Sequence, residues 1–201
     1  MTDLARPAHP EIELEPPELQ ERNTWVSARL LVSSTAFLFL AFVFAYLYLA
    51  SLNTSGLWRP GQLKGPLGWG IAIMLGVVVS AGLVAWARSE LARGKDATSR
   101  RLALAGLLAG VAAVVLQGVE YGRLGFGPTE GGYASVFLGW TGLFAVVVLC
   151  TMVWLEIILA SAFRNGSHAP GSSQVDLDAL GFFLSFVAGL GVLTFVFLYL
   201  L

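Results

Sequence analysis

The sequence predicts an all-α integral membrane protein, a bundle of five transmembrane helices, and three observations support this fold class. Hydrophobic residues make up 56% of the 201 residues and charged residues only 12%, and the mean hydropathy is +0.74. Five apolar stretches reach the length of about 20 residues that a helix needs to cross a hydrocarbon core of about 30 Å. These stretches are apolar on all sides rather than in alternation, which argues against the strands of a membrane barrel.

A polar segment precedes the apolar stretches. Residues 1–24 hold four prolines and five glutamates, a composition that buries too little apolar surface to order itself. We therefore predict a flexible, acidic cytoplasmic tail over residues 1–27 and a five-helix transmembrane domain over residues 28–201. The predicted spans of that domain are 28–51, 67–89, 101–121, 133–163 and 179–201, separated by segments that carry Gly, Pro, Asn and Ser.

Lys and Arg are distributed unevenly between the two sets of connecting segments. With the N-terminus in the cytoplasm, nine of them fall on the cytoplasmic side and three on the outside. The positive-inside rule therefore predicts a cytoplasmic N-terminus and an outside C-terminus. Aromatic and basic residues near the predicted interfaces are candidates for lipid contact, with ordinary interfacial anchoring as the alternative: Trp58, Arg59, Trp86 and Arg88.

Small residues recur at about four-residue spacing in the last three spans. This spacing places them on one face of a helix, where they let a neighbouring backbone approach closely. We expect helix-on-helix contacts, within the chain or against another subunit, at Gly106, Gly110, Ser135, Gly139, Gly142, Gly181, Ser185 and Gly189.

The side chains that hold haem or metal are scarce. His9 lies in the predicted tail, His168 lies in a Gly/Pro/Ser segment, and Cys150 is the single cysteine. Haem, copper and zinc sites need facing or clustered His, Met, Cys or carboxylate ligands, so we expect this chain to bind no cofactor or metal. The net charge of −1 likewise does not suggest a nucleic-acid partner.

Two carboxylates fall in or near the predicted spans, and each is a candidate functional residue because an ionised group in hydrocarbon is costly. Glu120 ends the third span, and its alternative interpretation is an interfacial group hydrogen-bonded near Tyr121 or Arg123. Glu156 lies about two turns before Arg164, and its alternative is a carboxylate that snorkels to the cytoplasmic surface.

Several stretches, taken in order, resemble subunit III of the haem-copper oxidases in its short five-helix bacterial form. The run "LVSSTAFLFLAFVFAYLYL" is similar to that family's Ser-Ser-Glu segment and aromatic run, and "SGLWRP" to its loop with Trp and Pro. The motif Gln-x-x-Glu-Tyr falls on Gln117, Glu120 and Tyr121, which are therefore the candidate proton-handling or polar site. The motif of the fourth span falls on Tyr133, Ser135, Phe137, Thr141, Gly142 and Val148.

The departures from the family pattern fall on its polar positions. Thr35 stands where the family has a glutamate, Phe144 and Val147 stand where it has histidines, and Ser185 and Ala188 replace a His and an Asp. Proton relay needs titratable groups, whereas packing against a larger partner needs shape, small residues and aromatics. The resemblance, read with these losses, favours a packing role.

The resemblance implies a non-redox, non-catalytic subunit of a cytochrome c oxidase-type complex in a bacterial plasma membrane. Haem and copper would reside in partner subunits, and this chain would stabilise the catalytic subunit I and bind lipid. Whether the chain counts as part of an enzyme depends on that complex. Two alternatives remain: a subunit III-like accessory protein of a nitric-oxide reductase, and a small channel or transporter in which Glu120 and Glu156 face one water-accessible cavity.

Overall fold

The structure is a computed structural model, and it describes residues 16–53, 56–164 and 170–201. In this part of the chain the backbone forms five long helices: α1 Pro17–Ser51, α2 Leu67–Ala92, α3 Asp96–Tyr121, α4 Gly132–Arg164 and α5 Pro170–Phe195. A 3₁₀ turn, Pro60–Gln62, lies between α1 and α2, and a π-helical turn, Val196–Leu200, continues α5. Each long helix has the length and apolar composition to cross a membrane. The predicted fold class, an all-α bundle of five transmembrane helices, is confirmed.

The helices alternate in direction, so the bundle has two distinct ends. One end carries the α1–α2 segment, the α3–α4 loop and the π-helical turn, and we call it the aromatic end because tyrosines and tryptophans crowd there. The other end carries the α2–α3 turn and the starts of α1 and α5, and we call it the basic end after Arg88, Arg93 and Lys95.

The helices extend beyond the predicted apolar spans. Helix α1 begins at Pro17, so residues 17–27 of the predicted tail are helical, while residues 1–15 lie outside the described part of the chain. Proline suits the first helical position because its missing N–H has no helical partner there in any case. Glu18 in the first turn adds a favourable interaction with the helix dipole. Helix α5 likewise begins at Pro170, nine residues before the predicted span.

The connection between α2 and α3 is much shorter than its polar sequence suggested. Helix α2 ends in a two-bond cap in which Gly94 N–H donates to Leu91 O at 2.9 Å and Lys95 N–H donates to Glu90 O at 3.0 Å. Gly94 has a φ of 73°, a left-handed conformation that glycine adopts without strain. Three residues, Arg93 to Lys95, therefore join two helices of 26 residues each.

Helices α2 and α3 pack along stripes of small and apolar residues. The buried residues of α3 follow a spacing of four and three residues, the repeat of a left-handed helix pair: Ser99, Ala103, Gly106, Gly110, Ala113, Gln117 and Glu120. At mid-depth the Ser80 hydroxyl donates across the interface to Gly106 O at 2.7 Å. A Cβ at Gly106 would lie 2.9 Å from Val84 Cγ2 and 3.2 Å from Ser80 O. The α2–α3 contact therefore needs glycine at this position.

We predict that Gly106→Ala destabilises the bundle, because the added methyl must push α2 away from α3. Overpacking of this kind costs about 1–3 kcal/mol. Thermal unfolding of the detergent-solubilised protein should show a lower midpoint for Gly106→Ala. The matched control is Gly118→Ala in the same helix, where a Cβ meets nothing within 4 Å, and an equal loss in both variants would contradict the interpretation.

Candidate functional site

A fully buried carboxylate lies at the aromatic end of α3. Glu120 is 0% exposed, and its Oε2 accepts a hydrogen bond from Gln117 Nε2 at 2.5 Å, one turn earlier in the same helix. The Tyr199 hydroxyl approaches both carboxylate oxygens, Oε1 at 2.9 Å and Oε2 at 3.0 Å. Both oxygens of Glu120 therefore have a donor, which is the condition for burying such a group.

Two glycines and a π-helical turn bring Tyr199 to this carboxylate. Its ring packs so closely on Gly65 and Gly70 that a Cβ at Gly70 would lie 2.6 Å from ring atoms. The ring also meets Phe137 edge-on, with centroids 5.4 Å apart. The turn that carries Tyr199 is closed by Leu201 N–H donating to Val196 O at 3.1 Å, the five-residue spacing of a π-helix. Packing of the ring thus fixes Tyr199 in addition to the hydrogen bonds of its hydroxyl.

A second tyrosine joins the α1–α2 segment to the π-helical turn. The Tyr133 hydroxyl accepts from Gly65 N–H at 2.9 Å and donates to Leu198 O at 2.5 Å. Tyr133 is itself 0% exposed. One hydroxyl therefore satisfies a backbone donor and a backbone acceptor that the apolar surroundings would otherwise leave unpaired.

Arg59, in the α1–α2 segment, packs over Tyr133 at the aromatic end. Its guanidinium donates to the Tyr46 hydroxyl at 3.1 Å and to Leu201 O at 3.0 Å. Its Cζ lies 4.2 Å from the centroid of the Tyr133 ring, a cation–π contact. Trp58 lies in the same aromatic cluster, edge-on to Tyr46 and to Tyr133. Arg59 thus links the α1–α2 segment, α1 and the π-helical turn.

The structure brings two of the three predicted polar residues together and separates the third. Gln117 and Glu120 form one hydrogen-bonded pair, whereas the Tyr121 hydroxyl lies 2.7 Å from Thr141 Oγ1 on α4. Thr141 in turn donates to Phe137 O at 2.6 Å, so Tyr121 is the donor to Thr141. Tyr121 therefore braces α3 against α4 and does not contact the Glu120 carboxylate.

Sequence reasoning missed Tyr199 and Tyr133 as partners in the polar site. The available signal was that a tyrosine inside an apolar helix usually finds a hydrogen-bond partner for its hydroxyl. Tyr199 stands in the run "FVFLYLL", and Glu120 is one of the two carboxylates that the sequence places in or near the spans. Their separation of 79 residues hides the pairing from any local motif.

The four residues singled out for lipid contact occupy different environments. Trp58 is buried, with 9% exposure, and Arg59 is partly buried above Tyr133. Trp86, at the basic end, is 55% exposed. Arg88 Nε pairs with Asp178 Oδ1 at 2.6 Å, which joins α2 to α5. Trp86 is thus the member of this set whose ring is open to the surroundings.

The predicted small-residue contacts also divide into packed and open positions. Gly106 meets α2, Gly110 faces the Met152 side chain of α4, and Gly181 faces the Arg88 side chain. Gly139 lies against Phe42, and Gly142 against the Tyr121 hydroxyl. Gly189 has open space at its α-carbon. Ser135 and Ser185 are exposed, and their hydroxyls donate to Pro128 O and Gly181 O, respectively.

The arrangement holds the Glu120 carboxylate in place at one end of the bundle. Glu120 is enclosed at the aromatic end, whereas Glu156 is exposed on α4 toward the basic end. The two carboxylates therefore do not share a cavity. In the part of the chain that the structure describes, no three His, Cys, Asp or Glu side chains come together as a metal site.

We predict that Tyr199→Phe destabilises the protein, because it removes the tyrosine donor from a buried carboxylate and leaves Gln117 alone. Loss of one partner of a buried polar group costs about 1–3 kcal/mol. The midpoint of thermal unfolding in detergent should fall for Tyr199→Phe. Tyr48→Phe is the matched control, since Tyr48 is 52% exposed on α1, and an unchanged midpoint in Tyr199→Phe would contradict the prediction.

Comparison with known proteins gives two findings. The family model described as cytochrome c oxidase subunit III matches residues 22–201. The chain is also 24% identical over 176 residues to cytochrome c oxidase subunit 3 of Pylaiella littoralis, covering 85% of this chain and 64% of that relative. The chain therefore spans less than two thirds of that relative's length. The match to the family model includes all five helices from Arg22 onward, and we conclude that the chain belongs to the cytochrome c oxidase subunit III family.

Proposed function

We propose that this chain is a non-redox subunit of a haem-copper terminal oxidase, in which it stabilises the catalytic subunit I and binds lipid. The observation that carries the proposal is the Glu120 site in a member of the subunit III family. Both of its carboxylate oxygens accept hydrogen bonds from within the chain, and its surroundings are aromatic side chains. Such a site stabilises a helix bundle and does not need to exchange protons with water.

The positions at which the family's polar residues are replaced support the same proposal. Phe144 is 2% exposed and meets the Phe39 ring edge-on at 6.3 Å. The same Phe144 ring would lie 3.1 Å from a Cβ at Gly191 of α5. Thr35 is 5% exposed. At Thr35 and Phe144, where the resemblance implies a glutamate and a histidine, this chain carries buried side chains that do not titrate.

We place the complex in a bacterial plasma membrane, with the basic end in the cytoplasm. The excess of Lys and Arg on one set of connecting segments supports this orientation. Trp86, exposed beside the paired Arg88 at the basic end, is suited to the headgroup region, where aromatic rings and cations contact lipid. Electron transfer to O₂ and proton translocation would then belong to the partner subunits that hold haem and copper.

The two alternatives, a channel and an accessory protein of a nitric-oxide reductase, require different arrangements of Glu120 and Glu156. A channel that uses Glu120 and Glu156 would need both carboxylates in one water-accessible cavity, and their burial and exposure at opposite ends of the bundle disfavour it. An accessory role in a nitric-oxide reductase would use the same packing surfaces. The catalytic subunit recovered with this chain from mild detergent distinguishes the oxidase from the reductase.

We predict that Glu120→Gln lowers the yield of intact oxidase and leaves the turnover per haem unchanged. The amide retains the shape of the carboxylate but weakens its bonds to Gln117 and Tyr199. The measurements are the haem recovered with this chain after affinity purification and the rate of O₂ consumption per haem. A fall in turnover by about 100-fold, the scale of a lost acid–base group, would overturn the packing role.

We also predict that the chain purified apart from its partners carries no haem. Its absorption spectrum should lack a Soret band, because its histidines and cysteine are too few and too dispersed in sequence to supply axial ligands. The complete complex from the same membranes is the positive control. Stoichiometric haem retained by the isolated chain would contradict the assignment of redox chemistry to other subunits.

A further inference from the structure

We draw no further inference here: the strongest candidate, the surface patch at the aromatic end where the exposed Arg123 guanidinium lies over the Trp69 ring with 5.3 Å between Cζ and the ring centroid, is a cation that water at the membrane surface can solvate, and nothing in the structure shows what covers it.

Discussion

The burial of the Glu120 carboxylate is the constraint on which the aromatic end of the bundle depends. A carboxylate with 0% exposure requires donors, and the chain supplies them from α3 and from the π-helical turn after α5. Bringing Tyr199 to that position requires glycine at Gly65 and Gly70. The same turn presents Leu198 O to Tyr133, and the residue after it presents Leu201 O to Arg59. The buried Glu120 carboxylate is therefore at the centre of contacts that join the α1–α2 segment, α3, α4 and the last turn.

The five helices were predictable from the sequence because a span must satisfy its backbone within itself, and long apolar runs leave no other solution. Helix ends were less predictable. Helices α1 and α5 begin at Pro17 and Pro170, before the apolar runs, because hydropathy marks only the part of a helix that can lie in hydrocarbon and proline suits the first helical position. The α2–α3 turn is short because Gly94 closes α2 abruptly.

The site was predictable only as far as its local motif. Gln117 and Glu120 are three residues apart, a spacing that places them together on any helix. Tyr199 could not be paired with Glu120 from sequence, since the pairing depends on how α5 and the π-helical turn pack against α2. For Trp58 the local sequence suggests a role that the packing does not support. A tryptophan beside a loop arginine is typical of an interfacial anchor, but tertiary packing buries it between Tyr46 and Tyr133.

The 79 residues between Glu120 and Tyr199 have a consequence for how the protein is made. Because synthesis proceeds from α1 to α5, the carboxylate reaches the bilayer well before its tyrosine donor exists. During that interval Gln117 is its nearest side-chain donor within α3, and an incompletely satisfied acid is unfavourable in hydrocarbon. Until the final helix arrives, the end of α3 is therefore more stable near water or beside the insertion machinery than in hydrocarbon.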